Sequence, residues 1–163
     1  RYRFGDKIKY YHYVMEECKK CLIPKLSVST FIENACIHGL ETTDKEGVIS
    51  VTVTKYNDYL LIEISDNGKG MDEERLKELK NMIANASSDM LYEAKSTGIL
   101  NAYLRLKMYS DGSVQFDIDS KPERGTDITI RLPLIYDDGR YKEETTEKSD
   151  REEKPDDKSN DCR

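Results

Sequence analysis

At 163 residues with a formal net charge of −6, the chain has room for one domain and a sizeable core. No basic stripe is available to neutralise a phosphate backbone, which disfavours nucleic-acid binding. No run is long and apolar enough to span a bilayer, and the charged, aromatic start does not read as a signal peptide.

The chain lacks an initiator methionine, so the sequence is expected to be a piece of a longer protein. RYRF, within residues 1–7, reads as the end of an upstream helix or linker. KIKYYHYVMEE alternates Ile8, Tyr10, His12 and Val14 against Lys9, Tyr11, Tyr13 and Met15, the period of a strand. Pro24 suits a first helical position, and Leu26, Phe31, Ala35 and Leu40 recur near 3.6 residues. Gly39 is placed to end that helix. VISVTVTKY and YLLIEIS, rich in β-branched residues and separated by Asn57-Asp58, predict a hairpin. MDEERLKELKNMIA predicts a helix with acidic residues in its first turn, complementing the helix dipole.

NASSDMLYEAKST, residues 85–97, lacks periodicity and reads as a long polar loop, a kind usually functional or mobile. GILNAYLRLKMYS returns to helical spacing through Ile99, Tyr103, Leu106 and Tyr109. SVQFDIDS and GTDITIRLPLI add two strands about the turn KPERG. Past that point apolar residues nearly vanish, and residues 137–163 hold eleven acidic and seven basic side chains. Residues 136–163 are therefore expected to form a disordered acidic tail, behind a domain at 8–135.

Antiparallel hairpins with helices between them predict an α+β fold. The expected architecture is a two-layer α/β sandwich, its mixed, mostly antiparallel sheet carrying helices on one face. Neither a GxxxxGK[ST] nor a GxGxxG loop is present, so any phosphate binding uses another scheme. Of Cys18, Cys21, Cys36 and Cys162, only the first two make a CxxC. Zinc needs two further ligands at suitable spacing, so reduced thiols and no cysteine-held metal are expected.

SDNGKGMDEE can be a turn, by its Asn-Gly pair, or a ligand site in which Asp66 recognises and glycines admit close approach. Three further segments decide between these. ENACIHG lies on the first helix, STGILN opens the third, and RGTDITI starts the last strand. With IPKL and DNGKGM, in that order, these motifs resemble the ATP-binding domain of two-component sensor histidine kinases. The subclass is that of LytS and YesM, within the Bergerat-fold superfamily, and the resemblance covers residues 1–135.

The resemblance implies ATP and Mg2+ as cofactors. It makes Asn34 the magnesium ligand, through a hard amide oxygen. Asp66 becomes the acceptor for the adenine amino group, supported by Thr126. Gly68 and Gly70 would lie beneath the base. Gly98 would begin a helix whose free N–H groups meet phosphates. Asn101 and His38 are further candidate contacts, and residues 85–97 would form a lid. Three positions depart from the subclass pattern: Ile37 replaces a lysine, Ser96 replaces a glycine, and Ser29-Thr30 replaces glutamine-proline.

The superfamily's hydrolases carry a glutamate four residues before the asparagine, as general base on a poor nucleophile. Thr30 stands there in this chain. Imidazole offers a free lone pair near neutral pH and needs no such base. The expectation is thus transfer of the γ-phosphate to a histidine on an upstream dimerisation domain, then phosphorelay to a response regulator. The intact protein would be a homodimer, with this part a soluble cytoplasmic domain of a membrane-anchored sensor. His12 and His38 both have places in the nucleotide domain, so the isolated chain is not expected to phosphorylate itself. The alternative is a degenerate, non-catalytic Bergerat-fold interaction module, favoured by Ile37 and Ser96. An ATPase of the gyrase type would need a replacement for Thr30.

Overall fold

A computed structural model describes residues 7–40, 46–87 and 98–136 of the chain. In chain order the elements are β1 (Ile8–Val14), α1 (Ser27–Asn34), β2 (Gly47–Tyr56), β3 (Tyr59–Asp66), α2 (Glu73–Ala84), α3 (Gly98–Tyr109), β4 (Gln115–Lys121) and β5 (Gly125–Pro133). The strands form one sheet ordered β1-β2-β3-β5-β4. β1 runs parallel to β2, and the remaining pairs are antiparallel. A parallel pair needs a crossover, which α1 provides; the antiparallel neighbours β2 and β3 need only the Asn57-Asp58 turn.

Leu60, Ile62 and Ile64 of β3 and Ile128, Ile130 and Leu132 of β5 are buried, while Glu63 and Arg131 between them are exposed. A period of two with one wet face is what a sheet covered on a single side requires. Phe31 of α1, Leu79 and Ile83 of α2, and Leu100, Leu104 and Leu106 of α3 complete that core. The fold is the expected two-layer α+β sandwich. α3 packs against both α1 and α2. Its buried set, Leu100, Ala102, Leu104 and Leu106, is therefore broader than the stripe that spacing alone predicts.

Two local expectations fail. α1 starts at Ser27 rather than Pro24, because the Pro24 carbonyl accepts both the Ser27 N–H, at 3.4 Å, and the Ser27 hydroxyl, at 3.0 Å. Pro24 thus closes a turn ahead of the helix. Leu26 caps it with φ of 65° and is 65% exposed instead of facing the core. Nor does Gly39 end a regular helix. After α1 the chain widens into a π turn, Ala35–Leu40, a form that concentrates at functional sites. Residues 1–6, most of the expected 85–97 lid, and the expected tail from 137 onward lie outside the described residues.

Candidate functional site

β3 ends at Asp66, whose register partner on β5 is Thr126. Two backbone N–H groups serve the Asp66 carboxylate: Gly68 donates to Oδ1 at 2.8 Å, and Thr126 donates as well. Burial outweighs them. It pushes the Asp66 carboxyl above the ordinary carboxylate range, while the two donors pull it partway back. A half-buried carboxylate oriented by backbone in this way is a fixed acceptor, the kind of group that marks a candidate site.

The Asn-Gly pair after it makes no hairpin. Asn67 is stitched to the start of β2, its Oδ1 accepting from Val48 N–H at 2.7 Å and its Nδ2 donating to the Glu46 carbonyl at 3.0 Å. Gly68 is buried against Gly39, whose carbonyl a side chain would overlap, and Lys69 N–H donates to that same carbonyl at 2.8 Å. Gly68 therefore joins this loop to the π turn and is not among the cavity-lining residues. Gly70 does line the cavity, at φ of 63°, with its back against the Lys121 carbonyl.

Ser120 of β4 ties the loop to the β4–β5 hairpin. It is buried, donates to the Gly125 carbonyl at 2.8 Å and accepts the Met71 N–H at 2.9 Å. Its oxygen also lies 3.0 Å from the Thr126 hydroxyl. Ser120 has one proton and spends it on Gly125, so Thr126 is the donor there. The Thr126 hydroxyl thus bonds Ser120, and its support of Asp66 comes through the backbone instead.

On the opposite wall, Asn34 Nδ2 donates to the Thr30 carbonyl at 2.7 Å, which leaves Oδ1 as the amide's remaining acceptor. The start of α3 abuts this amide: a side chain at Gly98 would come within 2.9 Å of Asn34 Nδ2. His38, exposed on the π turn, stands at the rim.

Asn34, His38, Asp66, Gly70, Gly98 and Thr126 together line one cavity of about 690 Å³, with Phe31, Met71, Leu79, Ile99 and Ile128 as apolar wall. That volume and mixture suit a small-molecule site. Asn101 is not among the lining residues; its Oδ1 is buried in α3 without a partner among the described residues. Ile37 is absent from the lining and 47% exposed, and Ser96 lies outside the described residues.

Lys69 and Arg75 also line the cavity, and motif reading assigned neither. The available signal was Asp72, which caps α2 by accepting the Arg75 N–H at 2.8 Å and so sets where Arg75 falls. The carboxylates among the lining residues are Asp66 and Asp72. Asp66 is held by backbone and Asp72 by its cap. The Thr30 hydroxyl, one turn before Asn34, donates to the Leu26 carbonyl at 2.7 Å. Among the lining residues, none offers a free carboxylate beside Asn34.

Comparison with known proteins gives the context. A family profile described as histidine kinase-, DNA gyrase B-, and HSP90-like ATPase matches residues 24–135. Sensor histidine kinase YpdA of Escherichia coli is 28% identical over 131 residues, 80% of this chain and 21% of that protein. Sensor histidine kinase YesM of Bacillus subtilis is 29% identical over 133 residues, 82% of this chain and likewise 21% of its own length. The chain thus spans about a fifth of these relatives. Among solved structures, the histidine kinase domain of the Erythrobacter litoralis EL346 blue-light activated kinase superposes with a TM-score of 0.52 at 18% identity. It covers 80% of this chain and 52% of that one. The catalytic domain of histidine kinase ThkA gives 0.52 at 12% identity, covering 78% and 80%. At those identities the likeness concerns the fold.

Proposed function

Because this chain belongs to the histidine kinase-, DNA gyrase B-, and HSP90-like ATPase family, we propose that it binds ATP in the cavity around Asp66 and presents the γ-phosphate to a histidine. That histidine lies on an upstream dimerisation domain of a homodimeric, membrane-anchored sensor kinase, with this part on the cytoplasmic side. The phosphoryl group then passes to a response regulator.

Asp66 carries the proposal. Its carboxylate is desolvated, held by two N–H donors and directed into a cavity with apolar walls, which suits the amino group of adenine. Thr126 keeps lone pairs free after donating to Ser120 and takes the base edge or a bridging water. Ile128, Met71 and Leu79 supply apolar wall for the ring. The first N–H groups of α3, from Gly98, face the phosphates, and Lys69 and Arg75 add positive charge.

Asn34 fits a magnesium ion: its Nδ2 donates to the Thr30 carbonyl, and its Oδ1, a hard amide oxygen, would serve as the ligand. When bound, Mg2+ would neutralise phosphate charge. The lining residues leave no free carboxylate beside Asn34 to activate water, which supports transfer to an acceptor that needs no base.

Incubation with γ-labelled ATP tests the proposal. The full-length parent should gain acid-labile label on an upstream histidine, and lose it in Asp66→Ala. This chain alone should gain none. Stoichiometric label at His12 or His38, or phosphate released to water at the rate of labelling, would contradict it.

A further inference from the structure

The Cys18–Cys21 pair takes no part in the cavity around Asp66, yet it is held in a defined place. The Met15 carbonyl accepts the Cys18 N–H at 2.9 Å, and the Cys21 N–H closes back on the Cys18 carbonyl at 3.0 Å. A turn closed in that way keeps its end Cα atoms within about 7 Å. Disulfides span Cα separations of about 4.4–6.8 Å. The thiols are close enough that each shifts the other's titration.

The turn is also fixed from outside. Cys21 bridges to Tyr136, Leu22 N–H donates to the Ile135 carbonyl at 2.8 Å, and the Tyr109 hydroxyl donates to the Leu22 carbonyl at 2.9 Å. Cys18 is buried in the core and Cys21 is half-buried over it. Both line a second cavity, of about 590 Å³, whose rim carries the exposed Tyr10, His12 and Ile23. Small solutes entering there meet Cys21, the more exposed thiol, first. No group of three metal-ligating side chains is present among the described residues.

We propose that Cys18 and Cys21 form a reversible dithiol–disulfide couple, a modification site for small disulfide oxidants such as oxidised glutathione. Cys21, as thiolate, attacks one sulfur of the oxidant, breaking its S–S bond and releasing one thiol. Cys18 then attacks the Cys21 sulfur of the mixed disulfide and displaces the second thiol. Two electrons and two protons leave the pair, and the oxidant's disulfide becomes two thiols. Burial pushes both protein thiols above their usual range, which slows exchange. It also withholds the thiolate stabilisation that makes some CxxC disulfides strongly oxidising. The couple sits on the connection from β1 to α1, so oxidation ties the turn that leads into the helix bearing Asn34.

The test is equilibration of the chain with graded ratios of reduced to oxidised glutathione, followed by alkylation and digestion at glutamate. Cleavage after Glu17 and Glu33 leaves both cysteines in one peptide, residues 18–33. That peptide should lose two hydrogens and resist alkylation at oxidising ratios, and revert on reduction, while Cys36 remains alkylated throughout. Cys18→Ser should trap glutathione on Cys21. Alkylation of both cysteines at every ratio, a stable glutathione adduct on the unaltered pair, or a crosslink to Cys36 or Cys162 would overturn the proposal.

Discussion

Asp66 concentrates the conflict between stability and use. An acid whose folded-state pKa lies above its unfolded value contributes stability that is fully present only below that unfolded value. The contribution is lost as pH rises through the folded value, so Asp66 costs the empty chain stability at neutral pH. Asp66→Asn retains an oxygen for the Gly68 N–H while removing the buried charge. It should raise the melting temperature of the nucleotide-free chain at pH 7 and weaken nucleotide binding; an unchanged or lower melting temperature would contradict this. Gly125 presents the opposite case, a residue with no chemistry and a strict requirement. Its φ is 89°, and a side chain there would overlap the Asp66 carbonyl. Gly125→Ala should cost about 3 kcal/mol or more in denaturant unfolding. Asp66, Asn34 and Thr126 were legible because each stands in a motif. The true neighbour of Gly68 and the fixed place of Gly125 were not, since each depends on segments far apart in sequence.

At the level of elements, the loop after β3 is positioned by its neighbours and has little regular structure of its own. Gly39 holds one side of it and Ser120 the other. Ser120→Ala would leave the Met71 N–H and Thr126 hydroxyl without their partner, at a cost of about 1–3 kcal/mol in chemical denaturation. Because Met71 also lines the cavity, nucleotide affinity should fall with it, although Ser120 is not among the lining residues. A variant with full affinity and full stability would show that the hydroxyl holds nothing in place. The hairpins and α2 were readable in the sequence because turn residues and the Asp72 cap act locally. The start of α1 was not. A left-handed leucine cap carries no sequence signal, and Pro24 suits a turn as well as a first helical position. The π turn is equally silent: its residues read as helix, and the extra width accommodates the contact of Gly39 with Gly68.

Across the molecule, four motifs scattered from residue 33 to residue 130 converge on one end of a sheet whose opposite face is polar. Fold class followed from alternation and turn chemistry, whereas the parallel pairing of β1 with β2 could not be read from either. Pairing direction is set by the crossover that α1 makes, a property of topology. Thermal unfolding with and without Mg-ATP tests whether the cavity this convergence creates takes the nucleotide. Ligand at a hundred times its dissociation constant should stabilise the chain by about 2.7 kcal/mol. For a domain of this size that is a rise of roughly 5–10 °C in melting temperature. The rise should be present in the unaltered chain and absent in Asp66→Ala at the same nucleotide concentration. No rise in the unaltered chain at millimolar Mg-ATP would contradict the adenine site at Asp66 and leave a Bergerat-fold module that serves as an interaction partner.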